Sequence, residues 1–194
     1  MIETALQIIT PGAQAITTAD GKQQLRVDYA AGSDDTEIDN MIQAAIEQVE
    51  GFTNRICMPT VFDFHLTGFP LGGIVLPYSP VTVITSVKYY TDATTQVTMA
   101  AGDYYYSLFS EPCKISLLNG TSPTVYQYRY DAVTVRFTAG YVDAASVPKS
   151  LRQAILLMLG DLYENRSDVV REKFTLWQMA CYKLRVVHNL TENT

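Results

Sequence analysis

Apolar residues recur at helical spacing in the segment SDDTEIDNMIQAAIEQVEGF, which begins at Ser33. One stripe of this segment contains Ile38, Met41, Ile42, Ala45, Ile46, Val49 and Phe52. This spacing predicts an amphipathic helix. Ser33 or Asp34 can cap its start, and Asp34 with Glu37 has the spacing of a capping box. Asn54 and Pro59 are expected to end the helix.

Two further stretches predict helices on either side of a long central region. Residues 17–28, TTADGKQQLRVD, indicate a shorter and weaker helix with Gly21 near its start. Pro148 is well placed as the first residue of a second helix, because the N–H that proline lacks would have no partner within the helix at that position. Its stripe is Leu151, Ala154, Ile155, Met158 and Leu162, and Leu156, Leu157 and Leu159 widen it, so this helix is expected to be buried on two sides. After the polar link ENRSDVVREK, a last amphipathic segment is marked by Trp177, Cys181, Leu184 and Val187.

The central region has the period of two that half-buried strands show. In TVFDFHLTGF, which begins at Thr60, apolar and polar residues alternate through Leu66. Six more strands are expected at 74–76, 83–91, 96–99, 104–109, 114–118 and 132–138. Clusters of Gly, Pro, Asn and Asp separate them, which is typical of an antiparallel sheet or small sandwich rather than of βαβ units.

Together the elements predict an α+β fold. Residues 1–59 and 141–194 are expected to pack as one helical bundle, and residues 60–140 to form an inserted antiparallel β-domain.

The composition is that of a globular protein, and the N-terminal segment and the cysteines indicate its cellular compartment. Of its 194 residues, 47% are apolar and 18% charged, which is too apolar for a disordered chain. No apolar stretch approaches the roughly 20 residues of a membrane-spanning helix. MIETALQIITPG has no basic n-region, so we expect no signal peptide and a cytoplasmic origin. The three cysteines, Cys57, Cys113 and Cys181, form no C-x-x-C pair and are expected to be reduced.

The formal net charge of −6 is concentrated near the start of the chain. Residues 1–60 contain nine acidic and three basic residues, and the remainder contains eleven of each. A protein that grips DNA needs Lys and Arg to displace the counterions of the phosphates. Gripping of DNA is therefore not expected, whereas an acidic surface past which DNA slides is compatible with this charge.

The candidate chemical groups do not form a catalytic or metal site by any motif. His65 and His188 have no second ligand at metal spacing, and SDDTEID lacks the Gly and distal Glu of a calcium loop. The Gly-Lys pair of DGKQ lacks the spacing of a phosphate-binding loop. No motif therefore supports a metal site or an enzyme, and a Cys–His nucleophilic pair has no local signature either.

Two features allow more than one interpretation. The tyrosine-rich stretches YYYSLF and TVYQYRY favour strand packing or a protein interface, with base or sugar stacking as an alternative. YENR, residues 163–166, is either a plain helix end or a polar cluster that docks on another subunit.

An ordered series of short motifs resembles one protein family. A strand that ends Val135, Phe137, Ala139, Gly140, Tyr141 is followed by Val147–Pro148, by LRQAILL (residues 151–157) and by YENR. Earlier matches are LRVD at 25–28, DD.EID.MI.AA from 34, FTNR at 52–55 and GFP at 68–70. In their order and spacing these motifs resemble the head–tail connector (adaptor, or head-completion) proteins of long-tailed bacteriophages and related gene transfer agents. The tail REKFTLWQMACYKLRVVHNLTENT departs from the family, whose members commonly have a shorter, more apolar end.

The resemblance implies a structural virion protein without catalysis or cofactor. It implies a dodecameric ring beneath the portal protein, at the head–tail joint of a particle assembled in the bacterial cytoplasm. Such a ring extends the channel through which DNA passes unbound, and it offers an attachment site to a stopper or tail-completion protein. Two alternatives stay open at this point, namely a tail-completion or tail-terminator subunit and a small ligand-binding β-domain.

The same resemblance suggests two sets of site residues. An interface with other subunits or with the portal is expected at Tyr163, Glu164, Asn165, Arg166, Trp177, Met179, Tyr182 and Arg185. A surface facing the channel is expected at Asp34, Asp35, Glu37 and Asp39. Trp177 and Leu184 are equally compatible with completing the helical bundle of the monomer.

Overall fold

A computed structural model describes residues 4–27, 35–118 and 122–164 of the chain. They form the α+β fold that the sequence predicts, with helices from both ends of the chain and antiparallel sheets between them. The described residues divide into two compact units. The sheet unit holds residues 4–12 and 59–140, and the helical unit holds residues 13–58 and 141–164, in each case without the undescribed positions.

Three helices build the described part of the helical unit, namely α1 (Thr18–Leu25), α2 (Asp35–Thr53) and α3 (Lys149–Glu164). The predicted stripe of α2 is confirmed, because its five inner members are buried and Met41 and Phe52 pack partly buried against them. On α3 Leu159 is fully buried, and Leu156 and Leu157 are partly buried, as expected for a helix covered on more than one side.

A glycine lets the three helices approach one another closely. A Cβ atom built on Gly21 of α1 would lie 2.9 Å from Ile42 Cδ1 of α2 and 3.2 Å from Leu159 Cδ2 of α3. Such distances are shorter than packed side chains tolerate without a shift. Gly21 therefore marks the point at which α1 packs directly onto the other two helices.

Eight strands build the described part of the sheet unit. They are β1 (Thr4–Thr10), β2 (Thr60–Leu66), β3 (Ile74–Val75), β4 (Val81–Tyr90), β5 (Gln96–Thr98), β6 (Tyr104–Tyr106), β7 (Lys114–Leu117) and β8 (Val133–Ala139). One sheet has the order β1-β2-β8-β4-β5 and the other the order β3-β7-β6, with every pairing antiparallel.

The core of the sheet unit lies on one face of the five-stranded sheet. Alternate residues of β8 are buried, and Phe137 pairs with Phe62 of β2, with ring centroids 5.4 Å apart. Leu76, Cys113 and Ile115 are buried residues on and beside the three-stranded sheet. The buried apolar residues of β2 and β8 therefore lie on one face of the sheet, as their period of two predicts.

Two boundaries differ from those that the sequence predicts. The predicted helical part began at residue 1, whereas residues 4–10 form β1, whose pairing with distant β2 no local pattern reveals. Helix α3 begins at Lys149, and the Pro148 carbonyl accepts hydrogen bonds from the N–H groups of Leu151 and Arg152. Pro148 is thus the residue before the first helical turn rather than the first helical residue.

Candidate assembly surfaces

The YENR motif straddles the last turn of α3. Tyr163 is half-buried and Glu164 is exposed at the end of the helix. The other members of the predicted subunit or portal interface, Asn165, Arg166, Trp177, Met179, Tyr182 and Arg185, lie outside the described residues, as does Cys181. Of the predicted interface, the structure therefore describes only this exposed helix end.

The acidic residues at the start of α2 act largely within the chain. Asp35 forms an ion pair with Lys22 of α1, and Asp39 Oδ1 accepts a hydrogen bond of 2.6 Å from Thr18 Oγ1. Glu37 is exposed, and Asp34 lies outside the described residues. Two of the four predicted channel-side acids, Asp35 and Asp39, thus hold α1 against α2.

A capping box at the start of α1 is a feature that the sequence patterns above did not single out. Thr17 Oγ1 accepts a hydrogen bond of 3.1 Å from the Asp20 N–H, and Asp20 Oδ2 accepts one of 3.2 Å from the Thr17 N–H. The Thr17 hydroxyl also donates to Asp20 Oδ2 at 2.9 Å, and this bond, the bond from the Thr17 N–H and the charge of Arg152, 3.6 Å away on α3, lower the pKa of the Asp20 carboxyl. The signal was present as T-x-x-D, with Asp in place of the usual Glu or Gln. It explains how a helix that contains a glycine begins at a defined residue.

The face of the five-stranded sheet opposite its core carries a buried carboxylate. Asp63 of β2 is 7% exposed and lies beside Arg136 of β8 in the strand register. Arg136 Nε and Nη2 donate to its two oxygens at 2.7 and 2.6 Å, and this paired hydrogen bonding lowers the pKa of Asp63. A buried charge needs such a partner. The pair therefore explains why a strand with apolar neighbours tolerates an aspartate.

The two described cysteines and the described histidine lie among contacts that belong to the fold. Cys57 and Cys113 are buried and free of disulfides. Burial raises the pKa of Cys57, and it raises the pKa of Cys113 to about 11, so neither forms a thiolate readily near neutral pH. His65 Nδ1 lies 3.1 Å from Thr134 Oγ1 across the β2–β8 pairing. Nothing in these contacts activates a nucleophile.

Metal-binding clusters and membrane-spanning helices are both absent from the residues that the structure describes. They contain no group of three or more His, Cys, Asp or Glu side chains arranged to hold a metal ion. No helix in the same residues is long and apolar enough to cross a membrane.

The tyrosine-rich stretch near residue 126 lies beside a cation that is already paired. Arg129 stacks 3.8 Å above the ring of Tyr90 and donates hydrogen bonds of 2.9 and 2.7 Å to Asp131. Tyr128 and Tyr130 project into solvent on either side of it. A base-stacking surface needs a free basic lining, whereas exposed tyrosines next to a neutralised cation are typical of protein interfaces.

Exposed apolar side chains are concentrated in the sheet unit. They comprise Leu6, Ile8, Ile9, Leu71, Val83, Tyr105, Leu108, Phe109, Leu118, Tyr128 and Tyr130, with Val142 in the helical unit. Exposed apolar residues that occur in groups mark surfaces for interaction with other proteins.

A cleft in the sheet unit is small. It has a volume of about 170 Å³ and is lined by the 69–74 loop, Val87, Met99, Tyr104 and β7. Sites for small-molecule ligands typically occupy about 300–1,000 Å³. This cleft is therefore poorly suited to the small-ligand binding considered above.

Comparisons of sequence give no relative. No protein-family model matches the chain, and no curated protein matches it either.

Comparison of structures gives matches over nearly the whole chain. A chain in the neck of an empty gene transfer agent (GTA) particle, computed with C6 symmetry, has a TM-score of 0.83 and 24% identity, and the match covers 98% of this chain and all of that one. A chain in the virion of a native GTA particle has a TM-score of 0.82 and 24% identity, with 97% and 99% covered. A chain in the neck of a native GTA particle, computed with C12 symmetry, has a TM-score of 0.74 and 21% identity, with 97% and 100% covered. This chain therefore shares its α+β fold with chains found in phage-like particles.

Proposed function

We propose that this protein is a structural subunit of the neck of a phage-like particle, namely the head–tail connector, or adaptor. In this role twelve copies form a ring beneath the portal protein and extend the channel for DNA. The ring then offers the attachment site for a stopper or tail-completion protein.

One observation carries the proposal, which is the match of the entire fold to chains in the necks of GTA particles. The match spans both units and leaves almost no residue of either chain without a counterpart. The order of the sequence motifs supports it independently, because the motifs depend on residue identity and spacing and not on the fold. Fold alone does not define function, so the combination of a full-length match and ordered motifs supports the role.

The charge and surface of the chain fit a subunit through which DNA passes. The net charge is −6, and four of the described basic residues, Lys22, Arg129, Arg136 and Arg152, form ion pairs with carboxylates. Chains that bind DNA tightly present unpaired Lys and Arg to the phosphates. A ring of this chain would repel DNA weakly and let it slide, and its exposed apolar residues would serve protein contacts.

Inactivating the gene in the genome that encodes it, followed by electron microscopy of the particles, tests the proposal. We expect DNA-filled or leaking heads beside complete, free tails, because a missing head–tail joint affects neither part separately. Complementation with the intact gene should restore joined particles. Normal tailed particles would contradict the proposal, and heads beside tails of abnormal length would indicate a tail-terminator subunit instead.

The portal contact itself is predicted to involve the C-terminal segment from about Val170. Deletion of residues 170–194 should leave a folded protein that no longer binds portal, measured by circular dichroism and by co-sedimentation with portal rings. The double variant Trp177→Ala, Tyr182→Ala makes a smaller change to the same segment. It should weaken binding without unfolding the chain, as truncation of aromatic interface anchors does. Unfolding on deletion would show instead that the segment completes the bundle.

A further inference from the structure

The first edge of the five-stranded sheet is strand β1. It pairs with β2 on one side, and none of the described strands pairs with its other side. All seven of its residues are exposed. One row of backbone N–H and C=O groups is therefore open to pairing with another chain.

The opposite edge of the same sheet is open over part of its length. Strand β5 covers β4 only at residues 88–90, so residues 81–86 of β4 pair with β8 on one side and with no described strand on the other. Thr82, Val83 and Thr85 are exposed there, with Val83 45% exposed. The open part has six residues, close to the seven of β1.

Neither edge carries the charged residues or the prolines with which many monomeric proteins protect an edge strand. Each edge does contain irregularities of register, between Ile8 and Thr10 in β1 and between Val81 and Val83 and between Ile84 and Ser86 in β4. The sequence of β1 is TALQIIT and that of residues 81–86 is VTVITS, without a charge or a proline in either. Both are neutral and rich in β-branched residues, which favours strand pairing.

The directions of the two edges fit each other. Each neighbouring pair in the order β1-β2-β8-β4 is antiparallel, so β4 runs opposite to β1. A rotation that sets copies side by side in a ring nearly preserves strand direction from one copy to the next. Strand β1 of one copy would then meet β4 of its neighbour antiparallel, which is the more stable way for strands to pair.

From these observations we propose that β1 of one copy pairs with residues 81–86 of the next copy, so that the five-stranded sheets join edge to edge around the ring. The inference rests on the proposed function for the closure of the ring. The occupant of the β1 edge is a second copy of this chain, because the complementary edge belongs to the same sheet. Two different surfaces of one chain that meet in this way form a head-to-tail interface, which closes under the cyclic symmetry with which the GTA necks were computed.

The pairing would also cover apolar side chains left open in the single chain. Leu6 and Ile8 lie opposite Phe64 and Phe62 in the register and so project toward the core face of the sheet. Ile8 is nonetheless 59% exposed. A neighbouring strand would bury these two side chains as an inner strand of the sheet is buried.

Cysteine cross-linking of the purified full-length chain tests the interface. Gln7 and Val83 suit the test, because both are exposed and their register partners place them on the same face, opposite the core. In a Cys181→Ser background, the double variant Gln7→Cys, Val83→Cys is treated with a short bismaleimide, which also traps transient contacts. We expect a ladder of multimers on a denaturing gel. Absence of multimers would overturn the proposal.

Single variants separate the head-to-tail arrangement from a symmetric one. Neither Gln7→Cys nor Val83→Cys alone should cross-link, whereas a mixture of the two should give dimers and no larger species. Dimers from Gln7→Cys alone would mean that two β1 strands pair symmetrically, and they would overturn the proposed interface.

A charge placed on the edge provides the second measurement. Ile8→Lys in the double-cysteine chain should remove the ladder without changing the circular dichroism spectrum. Leu71→Lys is the matched control, because Leu71 is fully exposed and lies on neither edge, and its ladder should persist. Persistence of the ladder in Ile8→Lys would contradict edge pairing.

The outcome is independent of the test of function. Unjoined heads and tails after gene inactivation, combined with no cross-linked ladder, would leave the adaptor role standing and remove the β1–β4 interface. A cross-linked ladder combined with normal particles after gene inactivation would support the β1–β4 interface and remove the adaptor role.

Discussion

Strands β1 and β8 are alike as sequences and opposite in their surroundings. Each has seven residues, four of them apolar, in TALQIIT and VTVRFTA. Every second residue of β8 is buried, whereas every residue of β1 is exposed. The difference comes from their places in the sheet, because β8 lies between β2 and β4, while β1 has one neighbour among the described strands. Burial in a sheet is thus a property of strand order, and the same composition serves stability at the centre and assembly at the edge.

The largest effect is expected from truncating the central strand. Phe137→Ala removes a fully buried ring stacked on Phe62 and should lower the free energy of unfolding by about 3–5 kcal/mol. Ile8→Ala on the edge strand should lower it by less than about 1 kcal/mol, because that side chain is mostly exposed. Urea unfolding of both variants measures the difference. Equal losses would mean that β1 already belongs to the core of the single chain.

An intermediate effect is expected at two glycines of the helical unit that sequence alone does not distinguish. Gly21→Leu forces a side chain into the space of Ile42 and Leu159 and should destabilise by about 2–3 kcal/mol. Gly160→Ala on α3 should stabilise by up to about 1 kcal/mol, because its Cβ meets no described atom within 4 Å and alanine favours helix. Thermal unfolding of the two variants should shift in opposite directions. A stable Gly21→Leu protein would show that α1 packs more loosely than described.

The smallest effect is expected at the polar face of β8. Arg136→Met leaves the Asp63 carboxylate buried without its partner and should destabilise by about 1–2 kcal/mol at neutral pH, since Arg136 itself is half-exposed. Lys88→Met is the control, because Lys88 lies on the same face and acts on Asp63 through its charge without a hydrogen bond, and it should change stability by less than about 0.5 kcal/mol.

The effect of Arg136→Met should depend on pH in a defined direction. Arg136 lowers the pKa of Asp63 in the folded chain below the value of about 3.9 expected when unfolded. The stabilisation from the pair is therefore fully present above that unfolded value and is lost as pH falls through the lower folded value. The stabilities of the variant and the parent should converge in acid. A constant difference down to about pH 2–3 would rule out the ionised pair as the cause.

Much of the fold followed from local pattern. The stripes of α2 and α3 and the alternation of β2 and β8 are visible in single segments, because the 3.6- and 2-residue periods repeat within each element. The candidate site was harder to predict from the sequence than the fold. The acids of α2 suggested a channel surface, but Asp35 and Asp39 contact Lys22 and Thr18, residues that no short-range pattern connects with them.

The sequence by itself determined the types of most elements and the α+β class, since these depend on composition and on short-range periodicity. The tertiary structure alone decided that residues 4–10 form a strand at the edge of the described sheet, that Asp63 is buried against Arg136, and that residues 81–86 pair with one described strand only. Each of these depends on which strands become neighbours across tens of residues. Strand order is set by the packing of the whole sheet, so a stretch of seven residues cannot reveal whether it will lie at the centre or at the edge.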